Sequence, residues 1–195
     1  MHNNNEKSEY YLKYIKNLTE QLVQNATQKE LLGGEMLIVE EIDEMWKQIA
    51  PQYMADAVPE LAKYPMAALG WAGYLGMGVA ALWETAWEKY ADSENLYDVF
   101  QKPRGFDQMD EFILEEMLSL ELGSEDAKRI ETFMQSAAEF TLGMLRREQV
   151  EAGTSEAFYF IADSARILFA LGVSIELHLL GYSYTKMKVP VAPVS

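Results

Sequence analysis

Apolar residues recur three and four positions apart along almost the whole chain, the spacing that gathers them on one face of an α-helix. Tyr11, Ile15, Leu18 and Leu22 form the first such face, flanked by Tyr14 and Val23, and predict a helix from about Glu6 to the mid-twenties. Ile38, Ile42, Met45 and Ile49 form a second, expected to stop before Pro51 because proline lacks an N–H and clashes with the preceding turn. Two readings compete at the join. Thr27 and Glu30 have the spacing of a capping box, which would start the second helix early. Gly33 and Gly34 would instead separate two helices, since two interior glycines cost about 2 kcal/mol relative to alanine. The glycine break is preferred.

Pro59 and Pro65 each suit the first turn of a helix, so residues 59–64 read as a short turn and Pro65 opens a long helix reaching about Ala91. Ser93 is placed to cap a short helix carrying Leu96, Tyr97 and Phe100. Lys102-Pro103-Arg104-Gly105 is the clearest break. Beyond it, Asp107 should cap a helix with the face Met109, Phe112, Ile113, Met117 and Leu120, ended by Gly123. Ser124 starts the next, which should bury Ile130, Phe133, Met134, Ala137, Phe140, Thr141 and Met144 up to about Val150. Thr154 or Ser155 opens the last, running to about Tyr182.

No strand is expected, because β-branched runs are short and hairpin turn pairs are missing. Repeats of 30–50 residues and sustained heptads are missing too, which argues against solenoids and long coiled coils. The expected fold is all-α: a compact bundle of about six or seven helices around a buried Gly/Trp-rich central helix. Residues 1–185 read as a single all-helical domain, with a division into two layers near residues 101–107. Residues 186–195 alternate Val and Pro and should form an extended, poorly ordered tail.

The central helix carries an ambiguity. From Pro65 to Trp83 no charged residue occurs in 19 positions, about the length of a bilayer crossing. Gly, Ala, Trp and Tyr dominate it, Glu84 and Glu88 follow directly, and the mean hydropathy is weak for a span, so a buried helix is expected instead. Gly70, Gly73, Gly76 and Gly78 each cost about 1 kcal/mol relative to alanine and need a local reason. Steps of three residues drift about 60° around the axis, so the missing side chains cut a spiral groove. Close approach of a crossing helix is the preferred explanation. The alternative is room for a ligand, walled by Trp71, Tyr74, Trp83 and Trp87.

Charge and composition narrow the function classes. The chain has 16 Lys and Arg against 31 Asp and Glu, a formal charge of −15. That balance argues against nucleic acid and against docking on anionic lipid. A hydrophobic fraction of 49% is too high for disorder. The absence of Cys removes disulfides, thiolate metal sites and Cys nucleophiles, while leaving the redox compartment open. The start, MHNNNEKSEYY, lacks the apolar core and cleavage site of a secretory signal, so a cytoplasmic location is expected.

No catalytic constellation emerges. G-x-S-x-G, P-loop and H-E-x-x-H motifs are absent. The glycines of LGWAGYLGMG do not match the dinucleotide pattern and follow no strand. A Glu-rich bundle raises di-metal chemistry, which uses Glu-x-x-His pairs. Besides His2 near the start, the only histidine is His178; Ile175 stands three residues before it, and Glu176, two before, falls on the opposite face. An all-carboxylate site on Glu84 and Glu88, one turn apart, is the metal alternative. Glu40 with Glu44, and Glu111 with Glu115, lie opposite apolar stripes and read as solvated faces. The last helix has one narrow polar stripe: Asp163, Arg166, Ala170, Ser174, His178 and Tyr182. Asp163 and Arg166 can pair, and the stripe reads as a satisfied buried network or a subunit contact. As a pocket lining it would add Asp163, Arg166, Ser174 and His178 to the aromatic wall.

These observations predict a non-enzymatic, acidic helical protein acting through protein–protein contact, as a homodimer and with a basic partner favoured by its charge. No cofactor, nucleic acid or membrane is implied. One alternative is a carrier of a small apolar molecule between the Trp-bearing helix and the His178 helix. The other is a carboxylate-bridged metal enzyme. A close-packed centre would favour the contact protein; a polar-edged cavity lined by Trp71, Trp83 and His178 would favour the carrier.

Overall fold

The computed structural model describes residues 3–85, 88 and 95–182. Among these residues the protein is a compact bundle of seven α-helices without strands. They are α1 (Asn3–Gln28), α2 (Glu40–Glu60), α3 (Pro65–Thr85), α4 (Leu96–Gln101), α5 (Met109–Phe112), α6 (Glu125–Arg147) and α7 (Ser155–Leu179). A 3₁₀ turn, Phe106–Gln108, leads into α5, and a π-helical turn, Ile113–Met117, leaves it. His2, Trp87, Ser93 and the 186–195 tail lie outside the described residues.

The join between α1 and α2 is a break, but its stop signal is Glu30 rather than the glycine pair. Glu30 takes a left-handed conformation at φ 57°. Its N–H bonds to the Thr27 carbonyl and the Leu31 N–H to the Ala26 carbonyl, the Schellman closure of a helix. The Thr27 hydroxyl donates back to the Val23 carbonyl and caps nothing. The buried face of α1 is Tyr14, Leu18, Leu22 and Ala26, turned from the predicted one so that Tyr11 and Ile15 are only half-buried.

The stop expected at Pro51 does not occur. α2 runs through Pro51 and Pro59, so residues 59–64 are not a separate turn. Both prolines lie on the exposed side, while Ile42, Met45, Ile49, Tyr53, Met54 and Ala57 bury the other. Burying such a face outweighs the lost hydrogen bonds and clashes of the two prolines, about 3 kcal/mol each. Ile38, expected on that face, precedes the helix and is exposed. The Tyr53 hydroxyl donates to the Ala68 carbonyl at 2.7 Å and ties α2 to the start of α3.

α3 begins at Pro65, and every residue from Ala68 to Leu82 except Trp71 is buried. Its glycines turn around the axis, as three-residue steps require. The missing side chain of Gly70 points at Ala138 on α6, and that of Gly73 lies between Met134 on α6 and Leu168 on α7. A Cβ on Gly76 would sit 2.0 Å from the Phe169 carbonyl oxygen, and one on Gly172 would sit 1.9 Å from the Gly73 oxygen. Gly78 faces the Phe100 ring of α4. The glycines therefore serve a helix crossing in which main chain meets main chain. α3 and α7 are both long and apolar enough to cross a membrane, and both are mostly buried inside the protein.

The helix expected from Asp107 to Leu120 is broken up. Its start is a 3₁₀ turn without a side-chain cap, and it closes in the π turn, with Ser119 left-handed at φ 56°. The Leu118 N–H bonds to Ile113 and the Leu120 N–H to Leu114, which tucks both leucines half-buried against the core. Glu115 is held by Arg104 at 2.6 Å and is not simply solvated. Local capping is clear elsewhere. Asn95 accepts from the Tyr97 N–H, Ser124 from Ala127 and Thr154 from Ala157. Gly181, at φ 83°, closes α7 before Tyr182, with the Tyr182 N–H bonding to Leu177. One contiguous buried cluster takes in residues from all seven helices.

Candidate functional site

The polar stripe on α7 is occupied in tying this helix to its neighbours. Arg166 pairs with Asp163 at 3.3 Å and with Asp43 of α2 at 2.8 Å. Asp163 accepts from the Tyr11 hydroxyl, and Ser164 bonds to Tyr14 at 2.7 Å. Burial, reinforced by Asp163, raises the Tyr11 phenol far above its ordinary range; burial pushes Tyr14 up to about 12. Ser174 accepts from the buried Leu37 N–H at 2.9 Å and donates to the Ala170 carbonyl. His178 packs its ring edge on Gly33, and Tyr182 donates to Glu84. Ser174→Ala should leave the Leu37 N–H without its acceptor and destabilise the protein by about 1–3 kcal/mol. A urea-denaturation midpoint unchanged from the parent would refute that role.

Trp71 and Tyr74 line a cleft of about 240 Å³ where α3 meets α5 and α6, with Met66, Gly70, Met134, Asp110 and Glu131 around them. Trp71 stacks on Phe106 at 5.7 Å between centroids. Its indole N–H is buried without a well-aligned hydrogen bond, although it favours the ionised form of nearby Asp110. Burial nevertheless raises the Asp110 carboxyl, and burial with Asp110 and Glu131 raises Tyr74. This cleft includes neither Trp83 nor His178. Trp83 is half-buried elsewhere on α3, and Trp87 lies outside the described residues. Between α3 and α7, where the carrier reading put its cavity, Gly73 meets Gly172.

Glu84 and Glu88 are both exposed. Among the described residues no three His, Asp or Glu side chains converge as a metal site would require.

Among the concavities without a counterpart in the sequence reading, two stand out. A mostly apolar groove of about 670 Å³ runs between α2 and α7, floored by Trp46, Ala50, Met54 and Ala162 and edged by Lys47, Pro51, Val58, Pro59 and Phe158. Val58 and Phe158 are 41% and 45% exposed, large values for apolar groups of that size. The second is a cavity of about 250 Å³ at the C-terminal end of α7. Leu31, Leu118, Leu120, Ile130, Leu179 and Leu180 form its walls, and Glu176, Asp126 and Arg129 are its charged lining. Glu176 is only 6% exposed, and its carboxylate has no hydrogen bond or ion pair among the described residues. Burial pushes its carboxyl up to about 7. Arg129 is committed to the main-chain carbonyls of Lys29 and Glu30, at 2.8 and 2.9 Å. In the sequence, the only sign of this site is that Glu176 is a lone acid in an apolar stretch.

No protein-family model matches the chain, and neither a characterised protein nor a solved structure matches it.

Proposed function

We propose that the protein is a non-enzymatic docking protein whose α2–α7 groove receives a basic amphipathic helix from a partner protein. The groove carries the reading: it is wide, apolar and open, and it is rimmed by exposed Val58 and Phe158. Such a groove suits a helix presenting apolar anchors at i, i+3 or i+4, and i+7. Charge selects the flanks of that helix. Around the groove, though not in its lining, α2 carries Glu40, Glu41, Glu44, Asp56 and Glu60, with Asp43 already paired to Arg166; Lys47, the one charged residue of the lining among the described residues, is engaged by Glu44. A second copy of this chain would bring the same acids to the contact, so a basic partner fits better than self-association. The main-chain contact of α3 on α7 supports a contact protein over a carrier in the bundle core.

A fluorescent basic amphipathic peptide with leucine anchors should bind, with affinity falling as salt rises. Phe158→Asp, at an exposed position, should weaken it by about tenfold or more while leaving the helical spectrum intact. Equal binding by a peptide of the same composition with its anchors scrambled would overturn the proposal. So would a dimer in sedimentation that dissociates in the Phe158→Asp variant.

A further inference from the structure

We propose that the cavity at the C-terminal end of α7 binds a small protonated amine with a short aliphatic body, its ammonium paired with Glu176. Glu176 is almost wholly buried, and among the described residues no cation or hydrogen-bond donor meets its carboxylate. Buried charges are normally paired. The side chain is nevertheless not sealed in the core, because it lines a cavity of about 250 Å³ whose other walls are mostly Leu and Ile. At about 30 Å³ per water, that space suits a ligand of roughly six to ten heavy atoms.

The chemistry of the lining selects the ligand. An apolar body can lie against Leu118, Leu120 and Leu180, while a cationic head neutralises Glu176. An anion would face Glu176 and Asp126. Arg129 makes no ion pair with Glu176; its Nη2 holds the Lys29 and Glu30 carbonyls instead. Among the described residues, Asp126 and Arg129, both on α6, are the only other charged residues of the lining. The amine binds the ionised carboxylate, so affinity should rise with pH through the range where Glu176 titrates. This site shares no lining residue with the α2–α7 groove, so it stands or falls independently of peptide docking.

Calorimetric titration with 3-methylbutylammonium chloride tests the assignment on the whole chain. Saturable one-to-one binding is expected, about tenfold tighter at pH 8 than at pH 6. Glu176→Gln, which removes a buried charge and should fold well, is expected to weaken binding by tenfold or more. Asp110→Asn, which alters the acidic Trp71 cleft, should leave binding unchanged. The uncharged 3-methylbutan-1-ol should bind at least tenfold more weakly. Absence of saturable binding at millimolar amine overturns the proposal, as does equal affinity for the alcohol. Binding kept in Glu176→Gln but lost in Asp110→Asn would place the amine in the Trp71 cleft and also overturn it.

Discussion

Gly172→Ala should destabilise the protein by more than about 3 kcal/mol, the upper range for forcing extra atoms into a packed core. The added carbon would lie 1.9 Å from the Gly73 carbonyl oxygen and 2.8 Å from its carbon. These are main-chain atoms of a buried helix, so no side-chain rotation relieves the overlap. α3 and α7 would have to separate, and the contacts beside the crossing would loosen with them. For a chain of this length, each kcal/mol lowers the melting temperature by roughly 2–4 °C, so a fall near 10 °C is expected. Gly143 supplies the comparison. It lies in α6 with nothing within 4 Å of its missing side chain. Gly143→Ala should therefore be neutral or stabilise by up to about 1 kcal/mol. Similar melting temperatures for the two variants would remove the close-crossing account of the glycines.

Glu176→Gln should make the protein more stable, and the gain should depend on pH. Burial raises the folded carboxyl from its ordinary value of 4.5 to about 7. At pH below the ordinary value both folded and unfolded chains hold the proton, and the group carries no penalty. Between the two values the unfolded chain ionises while the folded one does not, so stability falls as pH rises. Above about pH 7 the full penalty of roughly 3 kcal/mol is present. Glutamine stays neutral throughout. The variant should therefore exceed the parent by about that amount at pH 8 and match it near pH 4, as read from urea midpoints at each pH. A gain of the same size at both pH values would assign the effect to packing, and no gain at pH 8 would mean that the carboxylate is solvated.

The parts of the fold that were legible in the sequence are those fixed by neighbours along the chain. Ser124 caps as expected, and of Thr154 and Ser155 it is Thr154 that caps, because a hydroxyl reaching an N–H three residues on is a local event. The glycines of α3 announced a crossing because their cost demands one. Pro51 misled, since a local penalty was outweighed by the burial of Tyr53 and Met54, which only the folded bundle reveals. Leu120 misled for a similar reason: its spacing from Met117 continues a helix that the main chain leaves at Ser119. Of the Glu176 cavity only the lone acid itself shows in the sequence. The cavity joins Leu31, Leu118–Leu120, Asp126–Ile130 and Glu176–Leu180, segments brought together only by packing. The stripe from Asp163 to His178 was visible as a polar line, but Tyr11, Asp43 and Leu37, which use it, lie more than 100 residues away.

Contact between Gly73 and Gly172 also governs how the protein can move. Where side chains interdigitate, two helices can slide or roll by exchanging rotamers. Where peptide groups press directly on each other, no such gearing exists, and the pair must stay seated or part altogether. α3 and α7 thus form a stiff keel, against which α1, α2 and α6 are packed.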